Sequence, residues 1–194
     1  MLLQQISQKI GLIIVYSALS LVVQAEELQI NPAQVLSVVT ADWNNDGGFD
    51  RALLLLPQAD SDEADLYIYL SDADSNTMLQ VSHKAKIVWV GGMWGTQPSL
   101  KVNKKGSLIL KSANESIGRN RWQQKLTIAY RKGHFVVAGY TYSAHDTLDL
   151  DYKLKCDINL LTGKGKKNGK KIKVDLASKQ LDSFSMEPLE SACQ

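Results

Sequence analysis

The sequence predicts an all-β domain of antiparallel hairpins, and two observations carry that prediction. Runs rich in apolar and β-branched residues recur roughly every 10–15 residues from Val35 onward, and Gly, Asp, Asn and Ser fill the connections between them. No segment of useful length shows the apolar period of a helix. This spacing is typical of a β-sandwich, a barrel or a partial β-propeller.

Nine segments have the composition of strands. They are residues 35–40, 51–57, 65–70, 86–90, 107–110, 125–130, 134–140, 156–161 and 171–174. The clearest hairpin joins 125–130 to 134–140 through a three-residue turn that contains Gly133. A helical turn is expected around Asn31–Gln34. No Pro- or Ser-rich linker divides these segments, so they predict a single domain.

The amino terminus has the pattern of a signal peptide. An apolar run over residues 10–23 follows Lys9, and it is shorter than the ~20 residues that a membrane span needs. Val23 and Ala25 suit cleavage after Ala25, although an uncleaved anchor is the alternative. The pattern predicts a signal peptide at 1–25 and a β-rich domain at 26–194. That domain is expected in the bacterial periplasm or outside the cell, without stable membrane insertion after cleavage.

Charge and cysteine content narrow the class of protein. Residues 26–194 carry 21 basic and 20 acidic side chains, a balance that argues against a dedicated nucleic-acid binder. Cys156 and Cys193 are the two cysteines. In an oxidising compartment they predict one disulfide that ties the carboxyl-terminal tail to a strand, with two free thiols as the alternative.

One loop carries a pattern of oxygen ligands. Positions one, three, five and nine of the loop are occupied by Asp42, Asn44, Asp46 and Asp50. Gly47 at the sixth position permits a sharp turn, and Gly48 at the seventh offers a backbone carbonyl. Three carboxylates and an amide are hard donors that suit Ca²⁺. The alternative is an Asx-rich turn that binds no metal.

The loop resembles the calcium loop of FG-GAP repeats, which occur in integrin-type β-propellers. The resemblance implies a partial or degenerate β-propeller-like fold, with a β-sandwich or a barrel as the alternative. The loop is not an EF-hand, because Leu53 replaces the bidentate Glu and the flanking segments are strands. The resemblance implies that Asp42, Asn44, Asp46 and Asp50 bind calcium through side chains and Gly48 through its carbonyl. A weaker likeness extends to residues 138–143 and 159–164, as in small periplasmic proteins, some of which resemble inhibitors of peptidoglycan hydrolases. A second calcium loop is missing, because residues 71–76 lack the glycine and the later carboxylate.

No sequence motif indicates an enzyme. Ser143, His145 and Asp146 have the side chains of a catalytic triad, but adjacency in sequence is no evidence for one. A Gly-x-Ser-x-Gly elbow is absent, and the three histidines lack zinc-site spacing. We therefore expect a protein without catalytic activity.

Two segments are candidates for contact with a partner. Trp94 lies in a glycine-rich connection, where it can anchor a protein interface or fold back onto the core. Lys166 and Lys167 lie in a basic hairpin that suits an acidic partner or anionic surface, or that merely keeps an edge soluble. The sequence thus favours an exported calcium-binding protein that binds another protein, with inhibition of a peptidoglycan hydrolase as the sharpest version. The alternative is a structural envelope domain in which calcium only stabilises the fold.

Overall fold

The computed structural model describes residues 31–58, 60–175 and 179–193, so the predicted signal peptide lies outside the described residues. The described chain is mostly β-strand and forms two antiparallel sheets. The first sheet contains β1 (Val35–Ala41), β2 (Asp50–Leu55), β3 (Glu63–Asp72) and β4 (Thr77–Trp89). The second contains β5 (Ser99–Val102), β6 (Leu108–Asn114), β7 (Asn120–Arg131), β8 (His134–Asp146), β9 (Lys153–Asn159), β10 (Lys164–Lys167) and β11 (Lys170–Lys173).

Both sheets are meanders, in which each strand pairs with its neighbours along the chain. The first sheet has four strands in the order β1-β2-β3-β4. The second has seven strands in the order β11-β10-β9-β8-β7-β6-β5, and neither sheet closes into a barrel. The prediction of an all-β fold is confirmed.

Each of the nine predicted segments overlaps a strand, but the lengths differ. β4 begins at Thr77, well before the predicted start at Lys86. The prediction missed its first half because that half is exposed and shows no buried alternation. The sequence reading missed β5 and β10. β10 is a run of Lys and Gly, which lacks the apolar residues that mark a strand, and only its pairing with β9 and β11 defines it.

The two sheets share one apolar core. Trp43, which follows β1, packs edge-on against Phe135 of β8 with 5.6 Å between ring centroids. Trp89 of β4 lies 5.6 Å from Trp122 of β7. Each contact joins one sheet to the other. Fully burying a side chain such as Leu54, which is 0 % exposed, stabilises a fold by about 1.5–3 kcal/mol.

The carboxyl terminus is tied to the second sheet by a disulfide. A 3-10 turn at Leu181–Ser183 leads to α1 (Glu187–Cys193), a helix that the sequence reading did not predict. Cys193 at the end of α1 is bonded to Cys156 in β9, and the two Cα atoms are 5.6 Å apart. The predicted disulfide is therefore confirmed. Within the described ranges, no helix has the length and apolarity to cross a bilayer.

Candidate functional site

The loop between β1 and β2 is curled around its own polar side chains. The Asp42 carboxylate accepts hydrogen bonds from the backbone N–H of Asp46 at 3.2 Å and of Gly47 at 3.0 Å. The Asp46 carboxylate accepts one from Gly48 N–H at 2.7 Å. Positive φ angles at Asn45 (60°) and Gly47 (87°) provide the sharp turns. The alternating oxygen side chains are therefore held along one short, tightly turned segment.

Asp50 closes this loop from inside the protein. Its side chain is fully buried and accepts hydrogen bonds from Trp43 N–H at 2.7 Å and Ser71 N–H at 3.0 Å. The Ser71 hydroxyl lies 3.4 Å from the same carboxylate. Ser71 belongs to β3, so Asp50 fastens the loop to the neighbouring hairpin. The sequence reading assigned Asp50 to a metal and did not anticipate this role.

The loop oxygens are engaged in hydrogen bonds within the loop. Asn44 Nδ2 donates to Asp46 Oδ2 at 2.6 Å, and Asn44 Oδ1 accepts from Asp46 N–H at 3.2 Å. In the part of the chain that the structure describes, no group of three or more Asp, Glu, His or Cys side chains is arranged to hold a metal ion. Calcium would therefore have to exchange the Asn44–Asp46 side-chain bond for coordination.

The β4–β5 connection presents Trp94 to solvent from a rigid turn. Trp94 is 92 % exposed, whereas Thr96 is fully buried. Thr96 donates its backbone N–H to the Met93 carbonyl at 3.1 Å, and its hydroxyl accepts from Met93 N–H at 3.1 Å. A Cβ at Gly91 would lie 2.4 Å from the Thr96 Cβ, so this turn requires glycine there. The Trp94 indole therefore does not fold back onto the core.

Trp94 belongs to a cluster of exposed apolar side chains on three neighbouring loops. The Ser116 hydroxyl of the β6–β7 loop donates to the Trp94 carbonyl, and Thr147 N–H of the β8–β9 loop donates to the Arg119 carbonyl at 3.0 Å. These bonds connect the three loops in a row. We call their exposed members the apolar loop tips: Met93, Trp94, Ile117, Leu148, Leu150 and Tyr152.

Lys166 and Lys167 lie elsewhere, on β10. Lys166 is exposed and Lys167 is partly buried, in keeping with the alternation of a strand. β9, β8 and β7 separate β10 from β6, the strand that leads into the β6–β7 loop beside Trp94. The structure therefore does not bring the two predicted partner contacts, Trp94 and the lysines, into one site.

The carboxylate of Asp146, one residue of the supposed triad, is engaged in other contacts. Asp146 accepts from Arg119 Nε at 2.6 Å and from the backbone N–H of Leu148 and Asp149. The Arg119 hydrogen bond is the main reason that the pKa of Asp146 lies below its usual value. Asp146 thus braces the β8–β9 loop.

A carboxylate–histidine pair lies on the first sheet. His83 Nε2 is 3.2 Å from the buried Asp65 carboxylate, and the imidazole stacks on Tyr67 at 4.2 Å between ring centroids. Burial is the main cause that raises the pKa of the Tyr67 phenol. Asp65 also accepts from Lys86 N–H at 2.9 Å, where φ is 51°. This contact fixes an irregular point of β4, so the pair has a structural role.

No protein-family model, curated protein or solved structure matches the chain. The likeness to FG-GAP loops therefore rests on residues 42–50.

Sequence reasoning found Trp94 but missed the rest of the apolar loop tips. The alternation of Leu148 and Leu150 with Asp149 and Asp151 is the signal that was available. It has the period of a strand, yet both leucines are exposed in a loop. Only the packing of the three loops shows that these side chains lie together.

Proposed function

We propose that this chain is an exported, non-enzymatic calcium-binding protein that binds another protein, and that its targets include a peptidoglycan hydrolase. Export is supported by the signal-peptide pattern at residues 1–25 and by the Cys156–Cys193 disulfide, because disulfides persist in oxidising compartments.

The exposure of the apolar loop tips is the observation that supports the proposal of protein binding. Leu148 and Leu150 are 76 % and 74 % exposed, and the β6–β7 loop lies between their loop and the one that holds Trp94. Exposed apolar side chains that are grouped on neighbouring loops are a feature of interaction sites. Trp and Tyr are the residues that most often anchor protein interfaces. The rigid Thr96 turn lowers the entropy that Trp94 loses on binding.

The charges among the loop tips favour a protein over an anionic bilayer. Glu115, Asp149 and Asp151 are exposed on the same loops as the apolar side chains. An anionic bilayer would repel these carboxylates, whereas a protein interface surrounds its apolar centre with a polar rim. The partner is therefore expected to offer an apolar pocket with basic residues at its edge.

Calcium would be held by the oxygens of Asp42, Asn44, Asp46 and Asp50 and by the Gly48 carbonyl. The donor set is hard, and the curled backbone already places it on a short segment. Binding would replace the Asn44–Asp46 side-chain bond and neutralise carboxylates that lie close together. Calcium would supply stability to the loop, which Asp50 fastens to β3.

Inhibition assays test the proposed partner. The protein is titrated against a panel of purified peptidoglycan hydrolases, with binding measured by calorimetry. A Trp94→Ser/Leu148→Ser variant is expected to lose at least tenfold in affinity because two exposed anchors are removed. Leu161→Ser is the matched control, since Leu161 is 44 % exposed but lies between β9 and β10. Hydrolases that are neither bound nor slowed would refute the inhibitor version.

The alternative function, a structural envelope domain, predicts a different result. In that case calcium stabilises the fold, no hydrolase is slowed, and the two loop-tip substitutions leave every measured interaction unchanged. Equal binding by the wild type and the Trp94→Ser/Leu148→Ser variant would favour it.

A further inference from the structure

Two rows of polar side chains cross the outer face of the second sheet. In the first row, Lys125 pairs with Thr141, Thr141 with Asp157, and Asp157 with Lys166. In the second row, Gln123 pairs with Ser143 and Ser143 with Lys155. Residues two apart on a strand share a face, so the two rows are neighbours.

The rows line a groove of about 370 Å³. One wall is the β10–β11 turn, which is fastened to β9 by two hydrogen bonds. Asn168 Oδ1 accepts from Lys155 N–H at 2.7 Å, and Asn168 N–H donates to the Lys155 carbonyl at 2.8 Å. Gly169 of this turn also lines the groove. The groove is thus a fixed concavity, whose walls are strands and a bonded turn.

The lysines of this groove form no ion pair with another residue of the described chain. Residues 99–175 contain 17 Lys and Arg but only six Asp and Glu. None of the described ion pairs involves Lys125, Lys155 or Lys166. Lys125 stands directly opposite Lys111, and Lys166 opposite Lys171, and like charges in such positions destabilise a sheet.

Protection of a sheet edge does not explain these lysines. Lysines on the edge strand β11 discourage pairing with other chains. Lys125 and Lys155, however, lie on β7 and β9, which have a strand on each side. Their charges do not guard an edge, and three ammonium groups outnumber the one carboxylate in the rows, Asp157.

We propose that this groove binds an oxyanion with several charges, namely two or more linked or clustered phosphate groups. Lys125, Lys155 and Lys166 would neutralise the phosphates, and Thr141 and Ser143 would donate hydrogen bonds to their oxygens. Gln123 lines the groove, but its Nε2 already donates to Glu115 at 2.8 Å. Tyr142 is the one aromatic residue among those that line the groove, and a single ring offers no series of stacking platforms, so single-stranded nucleic acid is a poor fit. The phosphates come either from a soluble polyphosphate or from headgroups at a lipid surface. The proposal depends on neither calcium nor the protein partner.

Calorimetric titration of the disulfide-bonded protein with tripolyphosphate tests the groove. Lys125→Gln/Lys155→Gln/Lys166→Gln is expected to weaken binding at least tenfold. Lys101→Gln/Lys104→Gln/Lys105→Gln is the control, because it removes the same charge from β5 and the turn after it. The control is expected to stay within about threefold of wild type, since screening limits the reach of a distant charge.

Asp157→Asn provides a test of opposite sign. This change removes the only carboxylate in the two rows, so tripolyphosphate is expected to bind at least threefold more tightly. Absence of measurable tripolyphosphate binding at low ionic strength would overturn the proposal. Equal weakening by the two lysine triple variants would also overturn it, because the groove would then contribute nothing beyond net charge.

Vesicles of phosphatidylglycerol distinguish the two sources of phosphate. Vesicle binding that is lost in the groove variant and kept in the control assigns the phosphates to a lipid surface. Tripolyphosphate binding with the same pattern, but without vesicle binding, assigns them to a soluble ligand. Either result supports the proposed phosphate-binding site in the groove.

Discussion

Asp50 is a calcium ligand only as a proposal from the FG-GAP resemblance. In the structure its carboxylate is buried and accepts hydrogen bonds from Trp43 N–H and Ser71 N–H. Its burial could not be read from the sequence, because Ser71 is 21 residues away along the chain. The spacing of Asp42, Asn44 and Asp46, by contrast, is local, and a turn of this kind follows from the sequence alone.

Asp50→Ala is expected to lower the free energy of unfolding by about 3 kcal/mol in chelator, because the buried N–H of Trp43 and the partly buried N–H of Ser71 lose their acceptor. Asp46→Ala is the control. Asp46 is exposed, so its loss in chelator should be at most about 1 kcal/mol. Chemical denaturation measures both, and equal losses would contradict the buried role of Asp50.

The Arg119–Asp146 pair predicts a pH dependence. The pKa of Asp146 is held below its usual 3.8, chiefly by the hydrogen bond from Arg119. A carboxyl with a lowered pKa stabilises the fold above its unfolded value and loses that effect as pH falls through the folded value. Urea midpoints should therefore separate wild type from Arg119→Gln at pH 7, begin to converge below about pH 3.8, and coincide once Asp146 is protonated in the folded protein. A gap that persists at lower pH would contradict this assignment.

At the scale of elements, apolar strands could be predicted and basic ones could not. Residues 65–70 and 134–140 have the apolar and β-branched composition of strands. β10 has no such residues, and its position follows from the Asn168–Gly169 turn, where φ is 48° and 80°. Two positive φ values are typical of a two-residue hairpin turn, so Asn-Gly was the signal for β10–β11.

Gly169→Ala is expected to destabilise this hairpin by about 1 kcal/mol, because alanine resists positive φ although nothing lies near its Cβ. Tripolyphosphate binding should weaken with it. Gly92→Ala is the control, since that glycine also has open space but no positive φ. Thermal melts measure the stability of both variants, and calorimetry measures their tripolyphosphate binding. Equal effects of the two substitutions would contradict the proposed role of the positive φ at Gly169.

The disulfide is the element-scale feature on which the carboxyl terminus depends. Cys156→Ala/Cys193→Ala opens a link across 37 residues and is expected to reduce the free energy of unfolding by about 4 kcal/mol in the chain-entropy model. Urea denaturation with and without reductant measures this loss. A reductant should bring wild type to the stability of the variant and leave the variant unchanged; a difference below about 1 kcal/mol would contradict the prediction.

At the scale of the whole molecule, the three candidate sites lie on different parts of the fold. The Asp42–Asp50 loop lies between β1 and β2, the apolar loop tips lie on the connections after β4, β6 and β8, and the groove crosses β7 to β10. The sequence predicted the first site and one residue of the second. It named one lysine of the groove, Lys166, as a candidate partner contact, but it could not predict the groove itself, because cross-strand pairing brings together residues from Gln123 to Gly169.

Calcium binding by the Asp42–Asp50 loop is tested most directly by a thermal melt of residues 26–194 in calcium and in chelator. A ligand at a hundredfold excess over its Kd stabilises a protein by about 2.7 kcal/mol, which is a rise of roughly 5–10 °C for a chain of this size. We expect Asp46→Ala to abolish that rise and Asp74→Ala, an exposed carboxylate in the β3–β4 turn, to keep it. Equal melting temperatures in calcium and chelator for the wild type would contradict calcium binding and make the loop an Asx-rich turn.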